Sequence, residues 1–201
     1  MKLYFSPGAC SLSPHIVLRE LGYAFDMEQV DLGTKKTASG ADYLKVNPKG
    51  YVPALVLDNG GVLTEGPAIL QYLADSKGGG GLLPPVGDLR RYHVIEWLNF
   101  ISTELHKSYA PLFAPGTSEP HKAACKEMLG RRYAVVDQLL QGRQYVTGDS
   151  ASLADFYLFV VNSWAKFVEV DLAPYAAIKA FQGRMAARSA VQAALKAEGL
   201  L

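Results

Sequence analysis

A break near the middle of the chain constrains the fold more than any other feature of the sequence. Residues 78–81 are four consecutive glycines, and the sequence LLPP follows them. Glycine and proline interrupt helices and strands, so a shift in composition of this kind is typical of a linker. The 201 residues, 49% of them hydrophobic, suffice for two domains with separate cores. We therefore predict a first domain at residues 1–77, a linker at 78–88 and a second domain at 89–201.

The part of the chain before this break alternates strand and helix patterns. Residues 2–5 are aromatic-rich and typical of a strand, and Leu12, Ile16 and Val17 then have helical spacing, which ends at Gly22. Further strands are predicted at 24–32, 54–57 and 61–63, a polar loop at 33–40, a short helical turn at 42–46 and a helix at 65–77. The order βαβα-ββα describes a small α/β domain.

The part after the break has no convincing strand. Helical periodicity appears at residues 89–111, 118–141, 153–168, 174–187 and 190–198. Ser152 and Asp155 have the spacing of a capping box and stand just before the apolar run FYLFVV, which predicts a helix start there. The second domain is therefore expected to be all-helical.

Composition argues against several classes of protein. A net charge of +1 gives no reason to expect a nucleic acid or an anionic membrane surface as partner. No apolar run approaches the roughly 20 residues that a membrane span needs, and the N-terminus lacks the apolar core of a signal peptide. Two cysteines make no disulfide framework, and four scattered histidines do not predict a metal site. A cytoplasmic globular protein fits these observations.

Cys10 stands at the junction between the first strand and the first helix. The free N–H groups and the dipole of a helix start favour a thiolate, so this position predicts a lowered thiol pKa. Cys125, in contrast, shares a helical stripe with apolar residues and is expected in the core. A cysteine at this junction of a βαβα-ββα unit is the layout of a thioredoxin-like fold. Pro53 is then expected to be cis and to face Cys10.

Four motifs make the sequence similar to one family. They are YFSPGACSLSPHIVLRE at the start, NPKGYVPALVLDNG around Pro53, LTEGPAILQYLAD at Glu65, and GD-x-x-S-x-A-D from Gly148 to Asp155. In this order, over essentially the whole chain, they resemble the bacterial beta-class glutathione S-transferases. The resemblance implies the two-domain glutathione transferase fold, glutathione as co-substrate, an electrophilic second substrate and a two-fold homodimer.

The resemblance also implies roles for individual residues. Cys10 matches the active-site cysteine, which hydrogen-bonds the glutathione thiol or forms a mixed disulfide with it, and His106 matches the residue nearest the sulfur. Ser11 adds a hydroxyl one residue from Cys10 and is expected to donate a hydrogen bond to the sulfur of Cys10 or of glutathione. The expected glutathione-binding residues are Lys35, Val52, Pro53, Glu65, Gly66, Asn99, Thr103 and Glu104. Among them, Lys35 matches a cation near the glycine carboxylate of glutathione. Val52 matches a residue whose backbone pairs with the cysteinyl part of glutathione, and Glu65 matches the carboxylate that binds the γ-glutamyl ammonium.

Gly66 departs from the family pattern, in which Ser or Ala usually follows the glutamate. A serine hydroxyl there would contact the γ-glutamyl carboxylate, and Gly66 keeps only its N–H. Losing a hydrogen bond to a charged group costs on the order of 1.5–3 kcal/mol, so weaker glutathione binding is expected.

Two other functions remain open on the sequence alone. Cys10 would serve a glutathione-dependent disulfide reductase or peroxidase, although Ser13 stands where a C-x-x-C motif has its second cysteine. A non-catalytic binding protein is the other alternative, and the presence of Cys10, Pro53 and Glu65 argues against it. Four aromatic residues either line a second-substrate cleft or belong to the core: Trp97, Tyr109, Phe113 and Trp164.

Overall fold

The computed structural model describes all residues from 1 to 201, and packing divides them into two units. The first unit comprises Met1–Leu83 together with Arg188–Leu201, and the second comprises Pro84–Ala187. No helix combines the length and the apolar character needed to span a membrane.

A five-stranded mixed sheet forms the centre of the first unit. Its strands are β1 (Lys2–Phe5), β2 (Asp26–Asp31), β3 (Lys36–Thr37), β4 (Ala54–Val56) and β5 (Val62–Thr64). The spatial order is β3-β2-β1-β4-β5; β1 and β2 are parallel, and the other neighbours are antiparallel. The arrangement confirms the thioredoxin-like prediction. Strand β3 was expected to be a polar loop, because Thr37 is its only buried residue and two residues show no alternation.

Two α-helices of the first unit follow the predicted pattern. They are α1 (Leu12–Glu20) and α2 (Gly66–Asp75), and a 3₁₀ turn at Tyr43–Lys45 replaces the predicted helical turn. Helix α1 buries nearly its whole length, while α2 buries Ile69, Leu70 and Leu73. The Val52–Pro53 peptide bond is cis, as expected.

The glycine run belongs to the first unit. Residues 78–81 all have positive φ, a conformation that glycine adopts without steric cost. A Cβ on Gly79 would lie 2.3 Å from the Leu83 carbonyl oxygen, and one on Gly80 would lie 2.2 Å from Leu21 Cδ2. Close packing therefore requires glycine at position 79, where the contact is with the backbone. The division between the units falls after Leu83, within the predicted linker 78–88.

The C-terminal helix α8 (Ser189–Ala197) packs with the first unit, although the sequence pattern predicts it within the helical domain at 89–201. The fully buried His15 holds this end of the chain, with Nδ1 2.8 Å from Glu198 Oε1. The Gly8 N–H donates to the other Glu198 oxygen at 2.9 Å, and Arg19 Nε donates to His15 Nε2 at 2.8 Å. Helical periodicity shows that α8 has an apolar face but not which core that face joins.

The second unit is entirely helical. It contains α3 (Leu89–Phe100), a π-helical turn (Ile101–His106), α4 (Lys107–Phe113), α5 (Glu119–Leu140), α6 (Leu153–Ser163), a 3₁₀ turn (Ala165–Phe167) and α7 (Ala176–Ala186). The predicted helix 89–111 is thus interrupted by a π turn, a feature found frequently at functional sites. Helix α6 is buried on nearly all sides because almost every residue in it is apolar. Cys125 is buried in α5, as expected.

Helix α6 begins with the predicted capping box. Asp155 Oδ2 accepts hydrogen bonds from the Ser152 N–H and hydroxyl, both at 2.7 Å, and its Oδ1 accepts from the Val146 N–H at 2.9 Å. Burial raises the pKa of the Asp155 carboxyl above its ordinary value, while these donors favour the charged form. The box fixes both the helix start and the preceding loop.

Candidate functional site

The Cys10 side chain lies at the turn between β1 and α1. Its sulfur donates a hydrogen bond to the Val52 carbonyl oxygen at 3.2 Å, which places the thiol against the loop that contains the cis proline. Val52 is buried, and Cys10 retains part of its accessible surface. The thiol therefore contacts the residue that precedes Pro53, on the loop whose proline was expected to face it.

The predicted lowering of the Cys10 pKa is wrong. Loss of hydration raises the pKa of this thiol to about 12, the backbone N–H groups of Cys10 and Ser11 lower it by less, and the Glu65 carboxylate raises it slightly. The N–H groups of Leu12 and Ser13 at the helix start are not free to stabilise a thiolate, because they already donate to the carbonyls of Ala9 and Cys10. At neutral pH the Cys10 thiol is protonated and acts as a hydrogen-bond donor.

The Ser11 hydroxyl forms hydrogen bonds within the turn. The side chain is fully buried; its oxygen accepts from the Ser6 N–H at 3.2 Å and donates to the Ser6 carbonyl at 3.3 Å. The expectation that this hydroxyl donates to a sulfur is therefore wrong. Ser11 acts on Cys10 through its backbone N–H alone.

Lys35 lies beside the loop that precedes Pro53. Its ammonium donates to the Gly50 carbonyl at 2.9 Å and lies 5.6 Å from the centre of the Tyr51 ring. The half-buried side chain has a backbone φ of 58°, which is unusual for a residue other than glycine. A cation is thus held within the first unit, close to residues 50 and 51.

Glu65 and Gly66 form the start of helix α2. The Glu65 backbone has a φ of 69°, and its carboxylate makes no capping hydrogen bond to the helix. Instead Oε1 accepts from Lys49 Nζ at 2.7 Å, and the side chain is 67% exposed. At Gly66 no atom lies within 4 Å of the position of an added Cβ, so space is open beside the carboxylate.

The remaining predicted residues belong to the second unit, at or just before its π turn. Asn99 and Thr103 are exposed and bond backbone carbonyls one turn earlier, at 3.0 Å each. Glu104 forms an ion pair with Arg132 at 2.6 Å. His106 Nδ1 lies 2.5 Å from the Tyr157 hydroxyl.

An aromatic cluster surrounds His106. Its ring meets Trp164 edge-on, with the centroids 4.8 Å apart, and Tyr109 and Phe113 contact the same tryptophan. Phe113 is half exposed, while Tyr109 is buried and belongs to the core.

A separate cavity of about 530 Å³ in this unit is lined by Trp97 together with His93, Glu96, Phe100, Leu139 and Arg143. The structure contains no group of three or more His, Cys, Asp or Glu side chains placed to hold a metal ion.

Comparison with known proteins decides the family. The family described as "Glutathione S-transferase, N-terminal domain" matches residues 8–76, and "Glutathione S-transferase, C-terminal domain" matches residues 100–189. The chain belongs to the glutathione S-transferase family. Glutathione S-transferase GstA of Escherichia coli O157:H7 is 50% identical over 200 residues, covering all of both chains.

Solved structures of bacterial glutathione S-transferases superpose on the whole chain. A sphingomonad enzyme complexed with glutathione has 51% identity and a TM-score of 0.96, and each chain is fully covered. The beta-class enzyme of Sphingomonas chungbukensis has 49% identity and a TM-score of 0.97, again with full coverage of both. The chain is thus an enzyme of the bacterial beta class of glutathione S-transferases.

Sequence reasoning about this glutathione S-transferase missed two polar partners. Lys49 lies in the quoted motif NPKGYVPAL but received no role, since an exposed lysine in a loop is usually just solvated. Tyr157 is a buried member of the apolar run in α6, and nothing in that run distinguishes its hydroxyl. Only the fold pairs these side chains with Glu65 and His106.

Proposed function

We propose that this glutathione S-transferase conjugates reduced glutathione to electrophilic, largely apolar co-substrates. The observation that carries the proposal is the grouping, within the first unit, of the Cys10 thiol, the Val52 backbone and the Glu65 carboxylate. Cys10 bonds Val52 directly, and Glu65 lies near enough to influence the pKa of the thiol. The glutathione held by the sphingomonad relative supports the same ligand here.

The chemistry of glutathione fits the groups present. It carries two carboxylates, one ammonium and one thiol, and it needs a cation, an anion and backbone partners. Glu65 is proposed to bind the ammonium, Lys35 the glycine carboxylate, and the Val52 backbone beside Pro53 the cysteinyl part. The Gly66 N–H at the start of α2 is a further donor for the γ-glutamyl end. Asn99, Thr103, Glu104 and His106 are proposed on the family resemblance to complete the site.

The proposed reaction is a nucleophilic substitution or addition at carbon. The glutathione thiol loses its proton to water, and its sulfur forms a bond to the electrophilic carbon. In a substitution the leaving group departs with the electron pair of the broken bond, and in an addition the displaced π electron pair takes up a proton from water. A protonated Cys10 thiol stabilises the glutathione thiolate by donating a hydrogen bond to it, as it now donates to Val52. The raised pKa of Cys10 supports this donor role over that of a nucleophile.

The family resemblance further supports a two-fold homodimer, a cytoplasmic location and a role in detoxification. Sedimentation equilibrium measures the first of these: a mass near 43.6 kDa, twice that of the 21.8 kDa chain, is expected. A mass of one chain would overturn the dimer.

The proposed function is tested by titrating reduced glutathione into the wild type, and then by following conjugation with a chlorinated nitroaromatic probe. Binding and turnover are expected, and Cys10→Ala should retain conjugation at a reduced rate. If Cys10→Ala abolished a disulfide-reductase activity and wild type showed no conjugation, the reductase would replace the transferase. Absence of glutathione binding would favour a non-catalytic protein.

A further inference from the structure

An ion pair stands at the predicted γ-glutamyl end of the site. Lys49 Nζ donates to Glu65 Oε1 at 2.7 Å and to Thr64 Oγ1 at 3.0 Å. Both partners are exposed, by 54% for Lys49 and 67% for Glu65. Exposed pairs of this kind contribute little to folding stability, so stability alone does not account for the arrangement.

The backbone positions of the two charged residues are defined by the fold. Glu65 has a positive φ, which is costly for a residue with a Cβ and is found most often at functional sites. The Lys49 N–H donates to Asn47 Oδ1 at 3.1 Å, and the buried Asn47 amide donates to the Tyr51 carbonyl at 2.7 Å. The buried Tyr43 hydroxyl donates to the same Tyr51 carbonyl at 2.8 Å, which ties the loop that carries the lysine to the core of the first unit.

We propose that Lys49 binds the α-carboxylate of the γ-glutamyl residue while Glu65 binds the ammonium on the same carbon. This inference rests on the proposed function and names how the site recognises one end of glutathione. The ligand presents a positive and a negative group side by side, and the protein presents a negative and a positive group 2.7 Å apart. The two pairs are complementary in charge.

The hydrogen-bonding capacity of the pair matches this role. A lysine ammonium has three donors, and Lys49 uses one on Glu65 and one on Thr64, which leaves one for a carboxylate oxygen. Glu65 accepts from Lys49 through Oε1, so Oε2 remains for the ligand's ammonium. Both partners therefore engage the ligand while the ion pair between them is kept.

This role also bears on the missing hydroxyl at Gly66. A serine there was expected to contact the γ-glutamyl carboxylate, and Lys49 supplies a charged donor to the same group. Lys49 is the lysine that bonds Glu65, whereas the Lys35 ammonium donates to the Gly50 carbonyl and is proposed for the glycine carboxylate. The two lysines thus serve the two carboxylates of glutathione at opposite ends of the peptide.

A pair of ligands tests the assignment by isothermal titration. Glutathione is compared with 4-aminobutyryl-cysteinyl-glycine, which keeps the amine and the thiol but lacks the α-carboxylate. Lys49→Met is expected to weaken glutathione binding about tenfold and to leave binding of the analogue unchanged. Lys45→Met is the matched control, because it removes the same charge from an exposed lysine in the neighbouring 3₁₀ turn, and neither ligand should respond to it.

Three outcomes are decisive. Loss of the preference for glutathione over the analogue in Lys49→Met, but not in Lys45→Met, supports the assignment. Unchanged glutathione binding in Lys49→Met, or equal weakening of both ligands, overturns it while the proposed function stands. Failure of the wild type to bind glutathione at all removes the proposed function and this inference with it.

Discussion

Two acidic residues stand at the starts of helices, and the structure treats them differently. Asp155, at the third position of α6, is fully buried and accepts hydrogen bonds from Ser152 and Val146. Glu65, at the N-cap of α2, is exposed, has a positive φ and bonds no backbone N–H of its helix. The helix dipole stabilises both carboxylates, but only the oxygens of Asp155 accept hydrogen bonds from backbone N–H groups.

The difference separates a structural carboxylate from one that is available to a ligand. Every hydrogen bond of Asp155 is to the chain itself, so its loss would leave buried donors unpaired. Glu65 contributes only one exposed ion pair to the fold, and its positive φ strains the backbone. In the sequence both acids stand where a helix is predicted to begin.

The largest expected effect is the loss of stability in Asp155→Ala. The substitution leaves the Val146 and Ser152 N–H groups buried without an acceptor, and we expect the free energy of unfolding to fall by about 3 kcal/mol or more. Urea unfolding followed by circular dichroism measures it. Glu127→Ala, on the exposed face of α5, should change stability by less than about 0.5 kcal/mol. A similarly small loss for Asp155→Ala would contradict the contrast drawn between the two acids.

Glu65→Gln should show the reverse pattern. We expect glutathione to bind about a hundredfold more weakly, because the charged partner of the ligand's ammonium is gone. Unfolding free energy should stay within about 0.5 kcal/mol of wild type, since only an exposed ion pair is lost. Calorimetric titration and urea unfolding of the same preparation test both halves. Unfolding at much lower urea would assign Glu65 to the fold as well.

The sequence was informative where a residue's role follows from local pattern. Strand and helix order, the capping box and the position of Cys10 beside the Pro53 loop all depend on spacing along the chain. The sequence did not predict roles that depend on which residues the fold brings together. The Ser11 hydroxyl bonds Ser6, α8 joins the first unit, and Lys49 reaches Glu65, and no periodicity encodes these contacts.

The third helix start, at Cys10, extends the comparison to a thiol. Because its pKa is raised to about 12, the reactive thiolate is scarce at neutral pH and increases with pH up to that value. Alkylation of Cys10 by iodoacetamide should therefore accelerate about tenfold per pH unit from pH 7 to 10, without a plateau. Peptide mass spectrometry separates Cys10 from Cys125, and a Cys10→Ala sample gives the background rate. A plateau below pH 8 would instead restore the thiolate predicted from the helix start.

The smallest expected effect is that of Gly66→Ser, which gives the start of α2 a serine hydroxyl such as the start of α6 has in Ser152. Gly66→Ser places a side chain where nothing lies within 4 Å, so the fold should tolerate it. Because Lys49 is proposed to bind the γ-glutamyl carboxylate already, a hydroxyl that reaches this group should tighten glutathione binding by at most about tenfold, less than a first hydrogen bond to a charged group would. Gly66→Ala is the matched control, because it adds the Cβ and the same backbone restriction without the hydroxyl. Equal affinities for the two variants would mean that the carboxylate is already satisfied, as the assignment of Lys49 predicts.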